Sequence, residues 1–169
     1  MKDMEKKEFI IDAVIHLFLV ACFIFLDQAT KARTRSCLLN GTSVELIRNV
    51  FSIRLVYNTG GPWGIMGNHT VLLTVISLLI LVGIVFAYLW LPKIKRMRPL
   101  RICIIMIMSG AIGNMIDRIA YKKVTDMFSF DLIDFPVFNV ADVLVVVGCI
   151  LTFFLTVFYY KDEDFQWKK

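Results

Sequence analysis

Hydrophobic positions in this chain do not alternate with polar ones over most of its length. They run in four long blocks, and the charges sit between the blocks. The blocks cover residues about 9–28, 71–91, 101–119 and 139–160. Val71–Leu91, Ile102–Ile116 and Val143–Tyr160 carry no charged residue at all, whereas the first block holds Asp12 and His16. Each block is close to the ~20 residues that cross ~30 Å of hydrocarbon. Lipid offers no partner to a free backbone N–H or C=O, so each block is expected to be a helix. The pattern predicts a membrane all-α protein: a four-transmembrane-helix bundle, with residues 1–169 forming one integral membrane domain.

The segments between the blocks differ from one another. Ser52–Tyr57 alternates, Val44–Ile47 precedes it, and Arg48-Asn49 lies between, which reads as a small β-ribbon. Asn58-Thr59-Gly60-Gly61-Pro62 breaks the ribbon, and Trp63 follows, a residue suited to the membrane interface. Between the third and fourth blocks, Phe128, Phe130, Phe135 and Phe138 lie beside Asp126, Asp131 and Asp134. That segment reads as a loop able to dip into the interface.

Composition agrees with the blocks. Of 169 residues 58% are hydrophobic, against about 45–50% in soluble domains, and the mean hydropathy is +0.71. The formal net charge is +5. The Lys and Arg residues flank apolar spans and form no stripe, so they act as topology signals and argue against nucleic acid as a partner. They are densest before the first span, between the second and third, and after the fourth. Both termini are therefore expected in the cytoplasm, with 27–70 and 118–139 outside. The N-terminus resembles a signal peptide, and Leu19-Val20-Ala21-Cys22 resembles a lipobox. The apolar run continues to Leu26, and Ala29-Thr30-Lys31-Ala32 is a poor cleavage site, so the segment is expected to stay as an anchor. Cys22, Cys103 and Cys149 fall inside spans and Cys37 stands in a polar segment, so no disulfide framework is expected. No metal-ligand spacing is present; His16 and His69 read as packing or interfacial residues, and no cofactor is expected.

An ionisable group at membrane depth is costly, and by default it is a functional candidate. Asp27 and Lys31 stand at i and i+4 at the outer end of the first span, where an exposed pair contributes about 0.2–0.5 kcal/mol. A simple helix-end ion pair is the favoured reading of Lys31. Gly110, Asn114 and Asp117 share one face of the third span, and small residues there let a neighbouring helix approach. Asn139 and Asp142 open the fourth span, as a cap and a carboxylate in the first turn. Asp126, Asp131 and Asp134 share the last outer segment, and periodicity does not choose among them. No Ser, Cys or His stands beside a positioned base. Peptide hydrolysis can instead use two close carboxyl groups, one holding a proton while the other activates water.

In order along the chain stand Asp27-Gln28-x-x-Lys31, Asn58-x-Gly60, Gly113-Asn114-x-x-Asp117-Arg118, Val124-Thr125-Asp126-Met127 and Phe138-Asn139-x-Ala141-Asp142. With four spans around them, these motifs resemble the lipoprotein signal peptidase family. The resemblance implies a small extracytoplasmic β-cradle on the bundle and an outer loop with a short helix over the site. It implies an aspartic endopeptidase of the bacterial cytoplasmic membrane, with its site at the extracytoplasmic face. The implied substrates are diacylglyceryl prolipoproteins, cut just before the lipidated lipobox cysteine. Membrane lipid and lipopeptide inhibitors of the globomycin type are the other implied partners. By the same resemblance the catalytic pair is Asp126 and Asp142; Asn58, Gly60, Asn114, Arg118 and Asn139 line or brace the site, with Asp27 and Lys31 near it. Pro62 and Trp63 stand where the family usually has Ala and Phe, and Thr125 where an apolar residue is usual. The alternative is a small transporter or proton-coupled channel using the same aspartates.

Overall fold

The computed structural model describes residues 6–60, 69–133 and 135–165. Four helices, α1 (Lys6–Cys37), α2 (Thr70–Trp90), α3 (Arg98–Tyr121) and α4 (Val140–Phe154), make the bundle. All four are long and apolar enough to cross a membrane, counting the π-helical turn Leu155–Tyr159 that continues α4 and the short turn Lys95–Met97 that leads α3. Three strands, β1 (Ser43–Ile47), β2 (Phe51–Asn58) and β3 (Val124–Phe130), form one antiparallel sheet in the order β1-β2-β3.

α3 is the centre of the bundle. It packs on α1, α2 and α4, and it is far more buried than the other three. Its small residues permit this. A Cβ on Gly110 would strike the Ala141 carbonyl of α4, and one on Gly113 would lie 2.5 Å from Asp27 Oδ2 of α1. The other helices turn Leu17, Phe18, Phe25, Leu79, Phe86, Trp90 and Phe158 outward, as lipid contact requires. An apolar cluster of Ile94, Met97, Leu100, Ile104 and Tyr160 closes the bundle at the end where α1 begins and α4 finishes.

α2, and α4 taken together with its π-helical turn to Tyr159, follow the predicted spans within a residue. α1 does not. It was expected to end near residue 28 and instead continues to Cys37. Its 32 residues span about 48 Å at ~1.5 Å per residue, so its last turns stand clear of a ~30 Å hydrocarbon layer. Thr34 donates to Met127 Sδ (3.4 Å) and Arg35 to Thr125 Oγ1 (2.8 Å), and these bonds hold β3 against the helix. α3 begins at Arg98 with Pro99 in its first turn, three residues before the expected start.

The predicted ribbon is present as β1 and β2. β3 corrects the reading of 124–130 as a loop. Four successive residues, Val124 to Met127, are buried, so neither face is polar enough to leave the alternation that marks a half-exposed strand. Asp12 of the first span pairs with Arg98 of α3 at 2.7 Å. Cys22, Cys37, Cys103 and Cys149 are all free thiols. Pro62, Trp63 and Asp134 lie outside the described residues.

Candidate active site

The site is built where α1, α3, α4 and β3 meet. β3 leads Asp126 into it, paired opposite Val56 of β2. Phe138 exchanges backbone bonds with Phe128 (2.8 and 3.0 Å), and its carbonyl also takes the Met127 N–H (2.9 Å). That bridge sets the next residue, Asn139, beside Asp126. Asn139 is extended (φ −133°) and caps α4: its side-chain oxygen accepts the Asp142 N–H at 3.0 Å, while Asp142 Oδ2 accepts the Asn139 N–H at 3.1 Å. This reciprocal box fixes Asp142 in the first turn of the helix.

Three asparagines surround the two aspartates, and a separate donor orients each. The Gly60 N–H holds Asn58 Oδ1 (3.0 Å), so Asn58 Nδ2 donates to Asp126 Oδ2 (3.1 Å). Lys31 Nζ holds Asn114 Oδ1 (2.9 Å), so Asn114 Nδ2 donates to Asp142 Oδ1 (2.7 Å). The Asp142 N–H holds Asn139 Oδ1, so Asn139 Nδ2 donates to Asp126 Oδ1 (2.7 Å) and reaches Asn114 Oδ1 (3.1 Å). A lysine ammonium and a backbone N–H are donors only, which leaves the amides no other way round. Asp126 and Asp142 are thereby joined through Asn139 and Asn114.

Below them sits a buried ionic core. Lys31 and Asp27 are both fully buried, 2.9 Å apart, and Lys31 lies 3.6 Å from Asp117. The expected exposed helix-end pair is therefore a correction: Lys31 points between helices, where a second acid on α3 meets it. Asp27 Oδ1 accepts the Ala141 N–H at 2.9 Å, so α1 caps the start of α4. Gln28 donates to Asp27 Oδ2 (3.0 Å) and to the Gly113 carbonyl (3.1 Å). Asp117 accepts the Thr125 N–H at 2.9 Å and faces Arg35 at 3.8 Å. Asp117, Arg35 and Thr125 were not among the predicted site residues. Asp117 stood on the marked face of α3, and that was its signal; Arg35 lay beyond the expected end of α1. Arg118 is half-buried, and its charge interacts with those of Asp142, Asp126 and Asp117.

Four carboxyl groups thus face three cations. One proton on the carboxyls balances the cluster, which is the arrangement a dry site favours. Burial first, then the nearby Asp142 charge, push the Asp126 carboxyl up from 3.8 to about 7, against the pull of Asn58, Asn139 and Lys31. Asp131 has a different place: it accepts Ser52 Oγ (3.0 Å) and Ser129 Oγ (3.1 Å) at the far end of the sheet. Among the described residues, no three His, Cys, Asp or Glu side chains gather as a metal site.

A family model described as signal peptidase (SPase) II matches residues 19–158. The chain belongs to the signal peptidase II family. The chain is 38% identical to the lipoprotein signal peptidase of Clostridium acetobutylicum over 141 residues, which is 81% of this chain and 90% of that one. It is 34% identical to that of Clostridium tetani over 158 residues, 92% and 98% of the two chains. Its fold is similar to a bacterial membrane enzyme solved by the in meso method at 2.3 Å, with 26% identity, a TM-score of 0.73, and coverage of 88% and 93%. A second such structure, at 1.9 Å, gives a TM-score of 0.74. The signal peptidase II match takes in Asp27, Asn58, Asn114, Asp126 and Asp142, the residues that meet at this site.

Proposed function

We propose that the chain, 1–169, works as one integral membrane domain that removes signal peptides from prolipoproteins, as an aspartic endopeptidase. Asp126 and Asp142 form its catalytic pair. The observation that carries this reading is that two acids from separate elements converge with every carboxylate oxygen held by an amide or backbone N–H. Asp142, at a helix N-terminus, is the ionised member. Asp126, raised to about 7, is the protonated one.

In this mechanism Asp142 takes a proton from a water as its oxygen attacks the scissile carbonyl. Asp126 gives its proton to the carbonyl oxygen, forming a neutral gem-diol. Asp142 then passes its proton to the leaving amine as the C–N bond breaks. One diol hydroxyl returns a proton to Asp126 as the new carboxyl forms. Asn58, Asn114 and Asn139 hold the two acids, and Arg118 is placed to bind substrate backbone. Asp27 and Lys31 act through α4 and Asn114 and do not touch substrate, and Gly60 acts through Asn58.

The substrate is a diacylglyceryl prolipoprotein, cut before its lipidated cysteine, with the acyl chains lying between the helices and the bilayer. A lipopeptide of the globomycin type would compete for the same groove. The enzyme sits in the bacterial cytoplasmic membrane, both termini inside and the site at the outer face. The transporter alternative finds no support: the acids gather at one end of the spans, and transport sites lie near the midplane. The test is cleavage in nanodiscs of a lipidated precursor and of the same precursor without lipid. Release of the signal peptide from the lipidated form alone is expected. No cleavage, or equal cleavage of both, refutes the substrate assignment.

A further inference from the structure

At the opposite end of the bundle α1, α2 and the start of α3 leave a cleft of about 250 Å³, whose walls include Asp12, His16, Tyr88, Lys93 and Arg101. From His16 to Lys31 along α1 is about 22 Å at ~1.5 Å per residue, so the cleft is remote from the aspartate pair. Helices at this depth normally meet through apolar side chains, and the charges here have no part in the peptidase site. We propose that the cleft binds the headgroup of an anionic phospholipid.

The balance of charge favours an anion. The cations that line it are Lys93 and Arg101; the acid is Asp12, whose Oδ2 is occupied by Arg98 Nε at 2.7 Å. Glu8, nearby, is taken up by Lys95 at 2.6 Å. Arg101 is buried and fixed: its Nη2 donates to the carbonyls of Leu91 (2.8 Å) and Pro92 (3.4 Å), and its guanidinium lies 5.1 Å from the Tyr88 ring centre. Those bonds occupy one of its three nitrogens. Lys93 is exposed at the mouth, over the Phe9 ring at 4.6 Å. His16 Nδ1 and Tyr88 Oη are bonded at 2.8 Å, which leaves one N–H or O–H of the pair to donate from the wall between the cations. Two cations with one further donor between them fit a phosphodiester.

The surroundings choose a lipid over a soluble phosphate. Leu89, on the wall, is 62% exposed, and Ile10 and Val14 on the adjoining row of α1 are 52% and 62% exposed. These are lipid-facing surfaces, and acyl chains attached to a headgroup in the cleft would run along them.

Native mass spectrometry of the full-length protein, released from mild detergent with defined lipids, tests this. Phosphatidylglycerol is expected to be retained over phosphatidylcholine of the same chains. Lys93→Gln should weaken retention about fivefold, the effect of one cation near an anionic headgroup. Lys161→Gln, a cation at the same end but off the cleft, should leave it unchanged. Thermal unfolding of Lys93→Gln matching the unaltered protein excludes a folding defect. Equal retention of the two lipids, or equal loss in both variants, overturns the proposal. Displacement of the lipid by millimolar glycerol phosphate also overturns it, since that marks a phosphate subsite without a lipid.

Discussion

Each asparagine at the site is turned by a donor that can do nothing else, and so each offers its N–H to a carboxyl. Lys31 is the clearest case. Its ammonium fixes Asn114, and Asn114 then offers N–H to Asp142. Lys31→Met removes that constraint and strands Asp27 and Asp117 as buried carboxylates. Loss of one partner of a buried pair costs about 3–5 kcal/mol, so a sharp fall in the detergent unfolding midpoint is expected, together with lost cleavage. The proton on Asp126 makes a separate prediction. Its carboxyl titrates near 7 in the folded protein and near 3.8 when free. In the proposed mechanism it is the acid that donates and stops working once ionised, so kcat/KM should fall as pH rises through about 7. Stability follows the same sign: between about 4 and 7 the folded state binds more protons than the unfolded one, so stability declines with rising pH across that window. Asp126→Asn should flatten that decline, measured by unfolding at pH 5 and pH 8.

At the level of elements, the site depends on how closely α3 approaches its neighbours. Gly113 faces the Asp27 carboxylate, which in turn caps α4 through Ala141. Gly113→Ala puts a methyl carbon 2.5 Å from Asp27 Oδ2, closer than packed atoms come. The methyl should separate α1 from α3 and release the α4 cap. Lower thermal stability and loss of cleavage are expected together. Asn139→Ala removes the cap of α4, worth about 1 kcal/mol, and the donor to Asp126 as well. It should reduce turnover much more than it reduces stability. The α-helical spans were legible in the sequence because lipid demands apolar blocks. β1 and β2 were legible because β2 alternates beside a turn. β3 was hidden because Val124–Met127 are buried in succession. The end of α1 was hidden because its polar turns rest on a sheet that no local pattern announces.

For the whole molecule, the sequence marked the ends of the spans as chemically dense, but spacing alone could not bring residue 126 to residue 142. That convergence came from the resemblance; the bridge from Phe128 to Phe138 is its physical basis. Likewise the i, i+4 rule described Lys31 with Asp27 and could not see Asp117 on another helix. Orientation in the membrane is open to direct test through the native thiols. Cys37 is exposed at the C-terminal end of α1, beside the site, while Cys22, Cys103 and Cys149 lie within the spans. A membrane-impermeant maleimide added to intact spheroplasts should label Cys37 and spare the other three; protection of Cys37 would invert the topology. The paired-carboxylate mechanism itself meets its most direct test in single-turnover cleavage of a diacylglyceryl precursor by Asp126→Asn and Asp142→Asn proteins that insert and fold normally. Both variants should lose at least the ~10²–10⁴-fold that general acid–base catalysis supplies. Cleavage at the unaltered rate by either variant would contradict a mechanism in which the two acids share the work.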